Sequence, residues 1–320
     1  MEKPLVSVSL VTFNQEEYIR KAIESCLNQQ TDFDFEIIIH DDASSDGTPG
    51  IIQEYSSKYP DKIIPILQTE NQFSKGIEVN GKIAIPKARG KYIAFLEADD
   101  YWIDPHKLQY QADVLEANPD VAMCFTATKR IFPQDDKKPE IKRFRNHDTI
   151  CSTKDVILLG GRMVDMGSAV VRKSIYTHVP DWYFYIQIWD LTVPLLALLH
   201  GKIKYLDKVT SVYRYNSPSS WTRDNVKNYQ RRKDSIKKSI RVTDGFDETT
   251  DYKYHKLIVR KIKPMIVELL LLSNNEDESF PTYYERMSRP SRLIYEFFKM
   301  IGSFRLWKFY RYTKRLLTGY

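Results

Sequence analysis

The chain has 320 residues, of which 42% are apolar and 28% are charged, and its formal net charge at pH 7 is +6. This composition is typical of a soluble globular protein, and the length suits one large domain or one domain with an appendage.

The three cysteines, Cys26, Cys124 and Cys151, are widely spaced. This spacing excludes a disulfide framework or zinc site and predicts reduced thiols in a cytoplasmic protein. The N-terminal residues predict no signal peptide, and no apolar stretch is long enough to span a membrane.

Apolar runs of strand length alternate with helical patterns in the first part of the chain. The pattern predicts strands over 5–11, 35–39, 63–67 and 92–96, and helices over 15–28, 51–59 and 79–88. This succession of β-α units is typical of a mainly parallel sheet with helices on both faces.

The later elements are mixed in type. The pattern predicts helices over 105–118, 153–159 and 190–200, strands over 121–126, 167–171, 203–206 and 210–215, and a charged surface loop over 133–145. After residue 216 strands give way to basic helices, which are predicted over 226–242 and 254–272. We therefore predict an α/β domain over 1–220 and a basic helical region over 221–320.

Three carboxylates follow directly on a predicted buried strand. The apolar run over 92–96 ends in Glu97, Asp99 and Asp100. Ligands bind at the carboxyl ends of strands in open α/β sheets. Crowded carboxylates repel one another and lose hydration, and a divalent cation such as Mg²⁺ or Mn²⁺ relieves both effects. The alternative is an acidic turn in which Asp99 or Asp100 caps the next helix.

A second junction of the same kind follows the predicted strand over 35–39. The sequence there reads His-Asp-Asp-Ala-Ser-Ser-Asp-Gly-Thr over 40–48. Its Ser, Asp and Gly residues supply turn chemistry, and Asp46 or Thr48 is suited to cap the next helix.

Together these stretches resemble the family 2 glycosyltransferases of bacterial surface-polysaccharide type. Three marks carry the resemblance in this order: Val6 to Asn14, Glu36 to Thr48, and Glu97-Ala98-Asp99-Asp100. The resemblance implies the nucleotide-diphospho-sugar transferase fold of glycosyltransferase-A type. This fold is a mainly parallel mixed sheet flanked by helices, and here it would carry a C-terminal helical extension. Residues 1–220 would then form the nucleotide-sugar-binding catalytic domain.

The resemblance also implies which residues bind the nucleotide sugar. Thr12, Phe13 and Asn14 lie where the family holds the nucleobase. Asp42 matches the carboxylate that hydrogen-bonds a uracil ring. Lys75 is a candidate contact for the donor phosphates.

The remaining implied roles concern the metal and the chemistry. Asp99 matches the ribose and donor contact, Asp100 matches the metal ligand, and Glu97 is the second candidate metal ligand. Asp190 looks like the catalytic base of the family; the alternative is that it caps a helix. Asn216 stands where many members of the family have a histidine, so the resemblance implies no third protein ligand there.

The resemblance implies an inverting, metal-dependent glycosyltransferase. It would move a hexosyl or N-acetylhexosaminyl group from a UDP-sugar to a hydroxyl of a saccharide or lipid-linked acceptor, in capsule, lipopolysaccharide or exopolysaccharide synthesis. Two alternatives stay open at this point. A nucleotidyltransferase of similar fold would need a Gly-rich, basic phosphate-binding loop after the first strand, and the sequence lacks such a loop. A non-catalytic nucleotide-sugar-binding module would bind the donor without turnover.

The last part of the chain mixes basic and aromatic side chains at helical spacing. From Arg286 to Tyr320 nine basic residues stand against Glu296 as the one acidic residue. This mixture is typical of a helix on an anionic membrane surface, which predicts a cytoplasmic protein peripheral to the inner face of the cell membrane. The alternative is a helix packed on the domain with a solvated basic face. No motif indicates nucleic-acid binding, and a homo-oligomer stays open.

Overall fold

One mixed sheet organises the larger part of the protein. The computed structural model describes residues 3–134, 136–184, 188–215, 217, 228–273, 292 and 296, and within these residues ten strands form a single sheet. The strands are β1 Val6–Thr12, β2 Phe35–Asp41, β3 Ile63–Leu67, β4 Tyr92–Glu97, β5 Tyr101–Trp102, β6 Val121–Ile131, β7 Glu140–Lys142, β8 Thr149–Ile150, β9 Ala169–Arg172 and β10 Lys202–Arg214. Their order is β3-β2-β1-β4-β9-β6-β10-β5, with β7 beside β6 and β8 beside β10.

The first four strands of this order are parallel to one another. β1 lies between β2 and β4, and all three are apolar and almost fully buried, as strands covered on both faces must be. β9 is antiparallel to β4 and β6, and β6 is parallel to β10. The predicted fold class, a mainly parallel mixed sheet flanked by helices, is confirmed.

The strand register brings the two acidic turns to one edge of the sheet. Thr12 at the end of β1 is paired with Asp41 at the end of β2, and Val11 is paired with Glu97 at the end of β4. The amide of Ala98 also donates to the carbonyl of Val11 at 3.0 Å. The segments that follow β1, β2 and β4 therefore meet at the carboxyl edge, where ligands bind in such sheets.

Helices connect and cover the strands. They are α1 Ile19–Leu27, α2 Thr48–Lys58, α3 Ile85–Lys87, α4 Lys107–Ala117, α5 Thr153–Leu159, α6 Asp181–Phe184, α7 Trp189–His200, α8 Tyr229–Thr249 and α9 His255–Ser273. The apolar stripe of α1 shows why they form: Ile19, Ala22, Ile23 and Cys26 recur at helical spacing and are all buried in the core beside the sheet.

Three predicted elements differ in detail from the observed ones. The helix predicted over 79–88 is a π-helical turn, Asn80–Ala84, followed by the short α3. The two strands predicted over 203–206 and 210–215 are one strand, β10, because bulges near Val209 absorb the polar residues between them. The predicted loop over 133–145 contains β7, which pairs with β6.

The chain divides into two compact units. The first comprises residues 1–153 and 160–223, and the second comprises residues 154–159 and 224–320. In the second unit α8 and α9 pack together, and the buried carboxylate of Glu268 accepts from the guanidinium of Arg232 at 2.8 Å.

Within the described part of the chain, no helix combines the length and the apolar character needed to cross a membrane. Asn216 and most of the predicted tail helix over 286–320 lie outside the described residues.

Candidate active site

Glu97, Asp99 and Asp100 form a carboxylate cluster at the carboxyl end of β4. One oxygen from each carboxylate lies within 4.8 Å of the others. Asp100 is buried, whereas Glu97 and Asp99 keep partial access to solvent. The next helix, α4, begins at Lys107 with His106 as its N-cap. Neither aspartate therefore caps that helix, and the acidic turn leads instead into β5.

The end of β10 closes the cluster from the other side. The backbone N–H of Arg214 donates to Oδ1 of Asp100 at 2.8 Å, and its guanidinium donates to the backbone carbonyl of Asp99. The hydroxyl of Ser217 donates to Oδ2 of Asp99 at 2.7 Å. The guanidinium also lies 4.7 Å from the ring centres of both Tyr18 and Tyr101. One fixed positive charge is thus held beside the acidic turn.

The surroundings of the cluster disfavour ionised carboxylates. Burial, followed by the charges of Asp99, Asp190 and Asp165, raises the pKa of Glu97 from 4.5 to about 8. Burial and the charges of Asp99 and Glu97 raise the pKa of Asp100 well above its ordinary value. Burial also raises the pKa of Asp99, although Ser217 and Arg214 oppose this shift. Such crowded oxygen ligands fit a hard divalent cation, which favours their ionised form.

These raised pKa values predict how metal-free stability depends on pH. Between about pH 4.5 and pH 8 the folded state holds a proton on Glu97 that the unfolded state has lost, so stability falls as pH rises through this window. We expect the thermal unfolding midpoint without metal to be several degrees lower at pH 8.5 than at pH 6. Mn²⁺ should raise the midpoint more at pH 8.5, because the ionised cluster binds it better.

The matched variant for this measurement is Glu97→Gln, which removes the titrating group and keeps the side-chain volume. Its unfolding midpoint should depend less on pH than that of the wild type. If the unfolding midpoints of Glu97→Gln and the wild type change equally between pH 6 and pH 8.5, the raised pKa of Glu97 does not cause the pH dependence.

The residues predicted to hold the nucleobase meet at the ends of β1 and β2. The backbone N–H of Asn14 donates to the hydroxyl of Ser44, and its side-chain carbonyl accepts from the amide of Ser45, both at 2.8 Å. The Phe13 side chain is 43% exposed beside them. The hydroxyl of Thr12 is buried and has no hydrogen-bond partner among the described residues. The hydroxyl of Thr12 therefore keeps its hydrogen-bonding capacity for a group outside the described residues.

Asp42 holds the loop that faces this turn. Its Oδ1 accepts from the backbone N–H of Gln72 at 2.8 Å, and its Oδ2 accepts from that of Phe73 at 2.9 Å. Lys75, two residues further on, forms an exposed ion pair with Glu70. The backbone N–H of Asp42 donates to the carbonyl of Thr12 at 3.0 Å, so Asp42 lies beside the other residues predicted to hold the nucleobase. Lys75 is exposed, and its charge is paired with that of Glu70.

Asp190 is the second residue of α7, whose N-cap is Ile188, so the structure excludes the helix-cap alternative for Asp190. Its carboxylate lies directly against the backbone of Gly161 in a 3₁₀ turn, Gly160–Arg162. A methyl group added at Gly161 would be 2.4 Å from Oδ2 of Asp190. The charge of Asp190 contributes to the raised pKa of Glu97, so the two carboxylates lie within electrostatic range of each other.

Gly161→Ala is expected to displace the carboxylate of Asp190. The added methyl group cannot stay 2.4 Å from an oxygen, so the aspartate must turn to another rotamer. Sugar transfer should fall about 10-fold, because the reacting groups lose their alignment. Gly50→Ala is the matched control, since a methyl group there meets nothing within 4 Å. Equal transfer rates in both variants would contradict the prediction.

A second group of charges, Asp165 with two cations, lies beside the cluster. Oδ1 of Asp165 accepts from the guanidinium of Arg130 at 2.8 Å and from the ammonium of Lys142 at 2.7 Å. Its charge raises the pKa of both Glu97 and Asp100. The sequence analysis missed this group because its members come from β6, β7 and a later turn. No local pattern marks such a group.

Charged side chains of both signs surround the cluster. Among the described residues, the carboxylates that act on one another there are Glu97, Asp99, Asp100, Asp165 and Asp190, and the nearby cations are Arg130, Lys142 and Arg214. Carboxylate oxygens crowded in this way are ligands that suit Mg²⁺ or Mn²⁺.

The model of the glycosyl transferase family 2 matches residues 7–178, which is more than half of the chain. The chain belongs to this family. The predicted resemblance is therefore confirmed. The matched region contains β1 to β4, the residues predicted to hold the nucleobase and the carboxylate cluster. It ends before Asp190.

Curated relatives match parts of this family 2 glycosyltransferase. An uncharacterized protein of Mycobacterium tuberculosis is 33% identical over 223 residues, which cover 68% of this chain and 60% of the relative. The chain thus spans about 60% of the length of that relative. Chondroitin synthase of Escherichia coli is 33% identical over 128 residues, which cover 40% of this chain and 18% of the synthase.

Solved structures share the fold of this family 2 glycosyltransferase. Staphylococcus aureus TarS 1–349 in complex with UDP-GlcNAc superposes with a TM-score of 0.55 at 15% identity, covering 93% of this chain and 87% of TarS. A mannosyltransferase of Pyrobaculum calidifontis in complex with GDP-Man and Mn²⁺ has a TM-score of 0.50 at 16% identity, covering 97% and 83% of the two chains. These likenesses support the glycosyltransferase-A type of fold.

Proposed function

We propose that the protein is an inverting, metal-dependent glycosyltransferase that uses a UDP-sugar. The observation that carries this proposal is the carboxylate cluster at the carboxyl edge of the sheet, where the ends of β1 and β2 also lie and where the charge of Asp190 acts. Such an arrangement suits a donor whose base, diphosphate and sugar extend along the edge in that order.

The nucleobase end of the site favours uracil. The carboxylate of Asp42 accepts from two backbone N–H groups but retains further lone pairs, and it can accept from the ring N–H of uracil. The buried hydroxyl of Thr12 and the exposed ring of Phe13 supply a polar and a stacking contact nearby. TarS was solved with UDP-GlcNAc, which supports a UDP-sugar, and an N-acetylhexosaminyl or hexosyl group, for this chain as well.

Asp100 and Glu97 would hold the divalent cation, with Asp99 directed at the ribose and the donor. When bound, the cation offsets the negative charge that develops on the leaving diphosphate. Asp100 is held in place by the backbone N–H of Arg214, which leaves its second oxygen for the metal. Lys75 stays a proposed phosphate contact that would have to leave Glu70 to act.

Asp190 would act as the general base. A carboxylate on the face opposite the leaving group can take the proton of the acceptor hydroxyl, and a single displacement then inverts the anomeric centre. The proximity of Gly161 gives this carboxylate one defined position. The charge of Asp190 also acts on the ammonium of Lys142, so a cation lies within electrostatic range of the proposed base.

The acceptor is proposed to be a saccharide or a lipid-linked saccharide in surface-polysaccharide assembly. Chondroitin synthase, among the relatives, makes a polysaccharide as its name says, which supports this class of product. The first half of α8, over 229–241, carries six basic residues against Asp234. Together with the basic tail this charge supports an anionic membrane surface as a partner.

A screen of nucleotide-sugar turnover tests the proposed donor and metal. UDP release is measured with UDP-glucose, UDP-GlcNAc, UDP-galactose and GDP-mannose, each with Mn²⁺, Mg²⁺ or chelator. The proposal expects metal-dependent release from one or more UDP-sugars and little from GDP-mannose. Tight UDP-sugar binding without turnover, with or without saccharide acceptors, would instead identify a binding module.

Membrane binding is tested by deleting residues 303–320. Each basic group near anionic lipid contributes about 1 kcal/mol, so the deletion should reduce sedimentation with anionic vesicles at low salt. High salt should weaken the binding of the full chain in the same way. UDP binding should not change. A full chain that ignores anionic vesicles at low salt would refute the membrane proposal.

A further inference from the structure

A buried network of three side chains lies behind the carboxylate cluster. The indole N–H of Trp102 donates to the carbonyl of Gly167 at 2.8 Å, and the amide of Gln111 donates to the carbonyl of Ser168 at 3.0 Å. Lys107 Nζ donates to Oε1 of Gln111 at 2.8 Å and lies 4.4 Å from the centre of the Trp102 ring. Two successive carbonyls are therefore held by side chains that both contact one lysine.

The two carbonyls belong to the segment 165–168, which runs beside the carboxylate cluster. A methyl group at Gly167 would lie 3.9 Å from Oδ2 of Asp100 and 3.5 Å from Leu96. Asp165, at the other end of the segment, raises the pKa of Asp100 by its charge. The amide and hydroxyl of Ser168 both donate to the carbonyl of Asp165, at 2.9 and 2.7 Å. A shift of this segment would therefore change both the packing and the charge around Asp100.

Lys107 is an unusual residue to find in a core. It is fully buried, and it has no carboxylate partner in the part of the chain that the structure describes. Burial lowers its pKa to about 7, although the charges of Cys124, Cys26 and Asp104 oppose this shift. An apolar side chain would fill the same space without the cost of burying an amine. The lysine is therefore explained better by its contact with Gln111 than by packing alone.

We infer that Lys107, Gln111 and Trp102 are positioning residues that fix the segment 165–168 against Asp100 and so set the affinity of the cluster for a divalent cation. This inference rests on the metal site of the proposed function. Groups that contact a metal ligand from behind determine its orientation, and displacing them typically weakens metal binding by about tenfold or more.

Gln111→Glu separates positioning from simple stability. The substitution keeps the side-chain volume and gives Lys107 a carboxylate partner, but it removes the N–H groups that donate to the carbonyls of Ser168 and Cys124. Trp102→Phe is the second variant, since it keeps an aromatic ring in the core and removes the donor to Gly167 together with one ring of the indole, a packing loss that its unfolding midpoint reports. Gln53→Glu, at an exposed position of α2, is the matched control.

The measurement is calorimetric titration of each full-length variant with Mn²⁺ alone, beside its thermal unfolding midpoint. We expect roughly tenfold weaker Mn²⁺ binding in both network variants and wild-type affinity in Gln53→Glu. Wild-type Mn²⁺ affinity in a folded network variant would overturn the inference and leave the proposed metal site standing. A wild-type protein that binds no Mn²⁺ would overturn the proposed metal site, and the inference with it.

Discussion

Asp100→Ala is expected to abolish metal-dependent turnover of the donor, with a loss on the order of 10³-fold or more. Asp100 is the buried member of the carboxylate cluster, and the backbone N–H of Arg214 fixes its position. No neighbouring carboxylate can take its place without moving the acidic turn. Initial rates of UDP release at saturating Mn²⁺ measure the effect.

The same variant should stay folded. Removing Asp100 relieves the repulsion from Asp99 and Glu97, but it also leaves the backbone N–H of Arg214 without its acceptor. We expect the unfolding midpoint at pH 8 to change by only a few degrees, because the two effects oppose each other. Asp61→Ala, in an exposed turn before β3, serves as the control. Full activity of Asp100→Ala, or of the wild type in chelator, would remove the metal from the mechanism.

Asp190→Asn is expected to lower transfer by on the order of 10²-fold or more, because a general base is lost. The substitution is nearly isosteric, so the contact with Gly161 and the start of α7 should persist. UDP affinity, measured by calorimetry, should not change, since the proposed base acts on the acceptor hydroxyl and not on the nucleotide. The loss would then appear in kcat and not in the binding of nucleotide.

Asp181→Asn, at an exposed position in the first turn of α6, is the control for this variant. Undiminished transfer in Asp190→Asn would show that another carboxylate takes the proton. Asp165 would be the next candidate, because its charge also acts on the cluster and its position is fixed by Arg130 and Lys142.

The fold could be predicted because its central strands carry strong local signals. β1, β2 and β4 are buried on both faces and therefore read as apolar runs, and each ends in a turn rich in polar residues. The carboxylate cluster could be predicted for the same reason, since Glu97, Asp99 and Asp100 are adjacent in the chain. The role of Asp42 at the nucleobase was implied by the resemblance and stays a prediction, and the parallel register does bring the end of β2 beside the end of β1.

The rest of the site depends on contacts between distant segments. Asp165 meets Arg130 and Lys142 only because β6, β7 and the turn before β9 converge, and no spacing in the sequence reveals this. Trp102 shows the same limit: its place after the acidic turn suits a sugar contact and a core position equally, and only the structure shows that it is buried and donates to Gly167. The short β5 was also missed, because two residues carry no periodicity.

The two hydrogen bonds from Gln72 and Phe73 to Asp42 have an entropic consequence. A loop that is already anchored loses little conformational freedom when a nucleoside enters beside it. Ordering a flexible wall at that moment would cost about 0.5–1.5 kcal/mol for each immobilised side chain. Here the loop is ordered when the chain folds, so binding of the proposed nucleoside would not carry this entropic cost. The nucleoside could also enter without a loop closure.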